Sequence, residues 1–84
     1  METLTLAYPV EADGAPLAEL TVRRPKVRDL LAAEKAGGGD AGREVRLFAN
    51  LCQVSPATIE ALDLADYNRL QEVYRGFLSP APRP

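Results

Sequence analysis

The sequence predicts an α+β domain: an N-terminal β-hairpin followed by about four short α-helices packed as a small helical domain. Three observations carry that reading. Apolar residues alternate before and after an Asp-Gly pair near the N-terminus, they recur at helical spacing from Val27 onward, and two helix-start signals follow one another between Ser55 and Asp66.

In the first strand, Leu4, Leu6 and Tyr8 fall on one face and Thr3, Thr5 and Ala7 on the other. In the second, Leu20 and Val22 alternate with Glu19, Thr21 and Arg23. Asp13-Gly14 between them is a hairpin pair that accepts positive φ. Pro9 and Pro16 interrupt the alternation, which predicts an open edge or a bulge. A hairpin alone is marginal in water, so its apolar face needs the helices.

The first helix begins after Pro25, with Val27, Leu30 and Leu31 expected on its apolar face, and ends at Gly37-Gly38-Gly39. Asp40 is the expected cap of the second, where Val45, Phe48 and Cys52 share a stripe beside Leu47 and Leu51. Ser55 caps the third, with Pro56 at its first position, where a missing N–H is harmless. Asp63 caps the fourth, and Asp66 lies near the positive end of its dipole. Leu62 and Tyr67 are spaced for a hydrophobic staple. Tyr67, Leu70, Tyr74, Phe77 and Leu78 complete the stripe, which is read either as core or as partly exposed contact surface. Residues 1–78 therefore make one domain, and the Pro-rich residues 79–84 are expected to be a disordered tail.

Composition narrows function. The chain has 84 residues, 46% hydrophobic and 26% charged, with net charge −2. Alanine supplies much of the apolar fraction and Trp is absent, so a small core is expected, helped by a partner or by self-association. The acidic balance argues against a general nucleic-acid or membrane-surface binder. A single Cys52 allows no internal disulfide and suits a reducing cytoplasm. No leader pattern opens the chain, and no segment approaches the roughly twenty apolar residues of a membrane span.

Candidate chemistry is sparse. Gly37-Gly38-Gly39-Asp40-Ala41-Gly42-Arg43-Glu44 resembles a phosphate loop only in glycine spacing, lacking Lys-Ser/Thr after the last glycine and a strand before the first. Cys52 has no histidine to activate it, because the chain contains none. One Cys and scattered carboxylates make no zinc set. Catalytic, cofactor and metal residues are therefore all expected to be absent. Arg23, Arg24, Lys26 and Arg28 form the sharpest charge cluster, read either as a solvated connector paired with Asp29, Glu34 or Glu19, or as a DNA contact.

Taken in order, several blocks carry a family likeness: Leu20-Thr21-Val22-Arg23, Pro25, Asp29 through Gly38, Asp40, Ala49-Asn50-Leu51-Cys52, and Ile59 through Gln71. Together they resemble the small tail assembly chaperones of contractile-tailed bacteriophages, the Mu- and P2-like group, over residues 3 to 78. The resemblance implies a non-enzymatic assembly factor in the cytoplasm of the infected or lysogenic host. It implies a protein that coats the phage tape measure protein, keeps it soluble until the tail tube polymerises, and is missing from the mature virion. A longer frameshifted form of the chain is a further partner the family suggests, and a homo-oligomer is another open to it. A small DNA-binding regulator and a structural tail component retained in the virion are the alternatives. For the chaperone reading, the expected partner-binding residues are Phe48, Leu51, Tyr74, Phe77 and Leu78, on helix faces that can accept an amphipathic client.

Overall fold

A computed structural model describes residues 1–79. It contains strands β1 (Glu2–Ala12) and β2 (Ala15–Val22), then helices α1 (Val27–Ala36), α2 (Gly39–Cys52), α3 (Pro56–Glu60) and α4 (Leu64–Leu78). The expected hairpin and four helices are all present, so the α+β reading holds. The expected disordered tail lies outside the described residues except for Ser79. The molecule is flat, 44 × 31 × 18 Å along its principal axes.

Asp13 and Gly14 both have positive φ, 54° and 79°, as a two-residue turn that follows the strands' right-handed twist requires. Pairing runs from Ala12↔Ala15 to Val10↔Leu17, breaks, and resumes at Thr5↔Glu19. Between those points Leu6, Ala7, Tyr8 and Pro9 stand against Ala18 alone. β1 therefore bulges at the proline, which has no N–H to give the ladder. The bulge turns Tyr8 out of the face it was expected to share with Leu4 and Leu6: those two are buried and Tyr8 is 58% exposed.

A bulge leaves backbone donors without a ladder partner, and buried donors must be satisfied. Here the Ala7 and Tyr8 N–H groups donate to the two carboxylate oxygens of Asp66, at 3.0 and 2.9 Å. Asp66 is fully buried in the first turn of α4, and Arg69 donates to the same carboxylate at 3.0 Å. Its role is thus larger than the dipole contact read from sequence. The two backbone donors, then Arg69, hold its carboxyl below the usual range.

The caps divide. Ser55 accepts from the Thr58 N–H at 3.2 Å, and Asp63 accepts from the Ala65 N–H at 2.9 Å, as expected. Asp40 does not cap α2. That position falls to Gly38 in the left-handed region, and Asp40 lies inside the first turn, paired with Arg43. Gly37, Gly38 and Gly39 have φ of 71°, 94° and 74°, a succession that only glycine adopts cheaply. The three glycines that end α1 form a tight reversal that folds it directly onto α2.

The core is one layer. Leu4, Leu6, Leu20 and Val22 of the hairpin meet Phe48 and Leu51 of α2, Ile59 of α3, Leu62, and Leu70 of α4. Phe48 is completely buried, with the Tyr67 and Tyr74 rings at 5.6 and 5.5 Å from its own, in tilted and edge-on arrangements. The Arg23 N–H donates to the Leu51 carbonyl at 3.0 Å and ties the end of β2 to α2.

Replacing Asp66 with Asn would set an amide donor against a backbone donor. We expect Asp66→Asn to lower the melting temperature by more than about 5 °C, and hydrogen exchange to show the Ala7 and Tyr8 amides losing protection. An unchanged melt with both amides still protected would show that the bulge holds without the carboxylate.

Candidate functional site

The exposed apolar surface gathers on α1. Val27, Leu30 and Leu31, the expected apolar face, are 74%, 52% and 58% exposed. The residues α1 buries are Asp29 and Ala33, one helical turn apart on the opposite face. Asp29 sets this rotation. The Arg23 guanidinium, at the end of β2, grips its carboxylate at 2.6 and 2.9 Å, and the Lys26 N–H donates to it at 2.9 Å. A carboxylate so held faces inward, so residues 27, 30 and 31 face out.

The bidentate bond from Arg23 is the largest influence on Asp29. It outweighs burial and, with the Lys26 N–H, brings the carboxyl down to about 2. The cluster of bases is thereby divided. Arg23 is committed to Asp29, as the connector reading expected, and Arg24 lies over the Phe77 ring at 5.8 Å. Lys26 and Arg28 remain exposed.

The five residues expected to contact a partner do not share one exposed face. Phe48 and Leu51 are 0% and 1% exposed. This corrects their expected placement on an accessible face: both are sealed where α2 meets the hairpin. Tyr74 and Phe77 are half-buried against the core, and Leu78 is 59% exposed. Beside Phe77 an open groove of about 590 Å³ runs between the hairpin end and α4, lined by Leu4, Val73 and Gly76 and by the charged Glu2, Arg24, Arg69 and Glu72. The α1 face was missed because apolar spacing alone does not say which way a helix turns. The available signal was Asp29 on that helix, six residues after Arg23.

Among the described residues, no group of three His, Cys, Asp or Glu side chains is placed to hold a metal ion. No helix among them is long and apolar enough to cross a membrane. Cys52 is buried, which pushes its thiol up to about 11. Glu44 on α2 accepts from the Tyr67 hydroxyl and, at 2.8 Å, from Gln71 Nε2. Burial, then Glu44, raises the Tyr67 hydroxyl's pKa. These contacts fix α4 to α2 and leave the outer side of α1 uncovered.

Residues 3–79 match the family described as phage tail assembly chaperone proteins, E, or 41 or 14. The chain belongs to that family. No curated protein and no solved structure matches it. Family membership points to a non-enzymatic role.

Two outcomes follow for this chaperone. The Asp29 carboxyl is depressed in the folded state, so its stabilisation is present above the ordinary carboxylate value of about 3.9 and is lost as pH falls through about 2. Circular dichroism should show stability declining across that window, more shallowly in Asp29→Asn; an equal slope in the variant would refute the assignment. With its thiol at about 11 and buried, Cys52 should resist a disulfide reagent at neutral pH until the chain is unfolded.

Proposed function

We propose that this tail assembly chaperone binds the tape measure protein of its phage and keeps it soluble until tail tube subunits assemble around it. It does so by contact alone, making and breaking no covalent bonds. The observation that carries the reading is the outward face of α1, where Val27, Leu30 and Leu31 stand mostly exposed on a helix whose own fold does not use them. Leu78, with the accessible parts of Tyr74 and Phe77, extends the apolar surface of α4.

Burying the exposed parts of the three α1 side chains would yield about 3–5 kcal/mol before any cost of association. A millimolar dissociation constant corresponds to about 4 kcal/mol, so one such contact is weak. Repeated along an extended client, weak contacts add by avidity and still let go when a polymerising tube competes. A chaperone of this kind acts in the host cytoplasm and leaves before the particle is finished.

Co-expression with the tape measure protein tests the proposal. The wild-type chain should co-purify with soluble client. A Leu30→Asp/Leu31→Asp variant should lose about 1–2 kcal/mol of stability from helix propensity and partial burial and still fold, as its melting curve checks, yet leave the client insoluble. A client equally soluble without the chaperone would sink the proposal.

A further inference from the structure

The charges around α1 narrow the chemistry of what it binds. Arg28 and Lys35 lie at helical spacing along one flank of the Val27, Leu30, Leu31 ridge, and Lys26 stands at its N-terminal end. All three are exposed, and none has an ion-pair partner among the described residues. The acids of the same segment are already engaged. Asp29 is held by Arg23 at 2.6 Å, and Glu34, which lies on the ridge side of the helix one turn after Leu30, is drawn toward Arg43 at 3.4 Å, a base it shares with Asp40. On a protein of net charge −2, this helix presents an apolar ridge bordered by free cations.

We infer that the partner of α1 is an amphipathic helix whose apolar ridge is flanked by carboxylates. The inference rests on the client reading above and specifies the client segment. Opposite charges beside a small apolar contact steer the encounter, fix register and reject basic helices. A nucleic acid would use the cations and leave the three aliphatic side chains in water. A bilayer surface is poorly served by a ten-residue helix with no aromatic residue.

Fluorescence anisotropy of the full chain with two labelled helical peptides tests this. Both peptides carry the same leucine ridge, one flanked by Glu and the other by Lys. The Glu-flanked peptide should bind at least tenfold more tightly at low salt, the gap should narrow as salt rises, and Arg28→Glu/Lys35→Glu should abolish or invert it. The melting curve of that variant, altered only at exposed positions, checks that it folds. Equal affinities, preference for the Lys peptide, or binding only to phosphatidylglycerol vesicles or duplex DNA would overturn the inference. If the variant still co-purifies with the tape measure protein as well as wild type does, the acidic-flank inference fails and the client reading survives. If wild type retains no client, the client reading fails, and this account of its segment fails with it.

Discussion

One carboxylate joins the two halves of this protein. Asp66 enters the first turn of α4 fully buried and accepts the two backbone N–H groups that the β1 bulge sets free. A two-stranded sheet has little stability of its own, and a bulged one has less. The side chain that satisfies the bulge also seats α4 across the hairpin, so Leu70 meets the hairpin leucines in the core. A buried charge is tolerable because both oxygens accept hydrogen bonds and Arg69 supplies the opposite charge. The same logic recurs at smaller scale where Arg23 grips Asp29 and orients α1.

Much of the architecture was legible because its signals are local. Asp13-Gly14 forces a hairpin, Ser55-Pro56 and Asp63 start helices, and glycines end α1; each acts on its own neighbours, so one stretch of sequence is enough. What was not legible depends on distant partners. Asp66 looks like an ordinary first-turn acid until a strand some sixty residues earlier in the chain brings it two amides. Val27, Leu30 and Leu31 have a core-like spacing, but the turn of the helix is decided by Asp29, so they emerge on the outside. Phe48 and Leu51 erred the other way, since the hairpin covers α2 more completely than periodicity reveals. Asp40 has no capping role because α2 starts one residue before it, with left-handed Gly38 in the cap position.

The same residues explain why a family of assembly factors can use so small a chain. α1 is short for an isolated helix and contributes one buried alanine. Its place is held by a polar clamp and a glycine reversal instead of by its large side chains. Those side chains are thereby released from the core. The fold is secured by the hairpin, α2, α3 and α4, while α1 keeps its large apolar side chains on the surface.

The flatness of the molecule has its own consequence. A thickness of 18 Å is less than two helix diameters with side chains, so the body holds a single buried stratum between two broad outsides. Matter arranged as a tile presents more surface per gram than the same matter rolled into a ball. Thinness is thus an economy of synthesis as much as a matter of shape, since few residues present two broad faces.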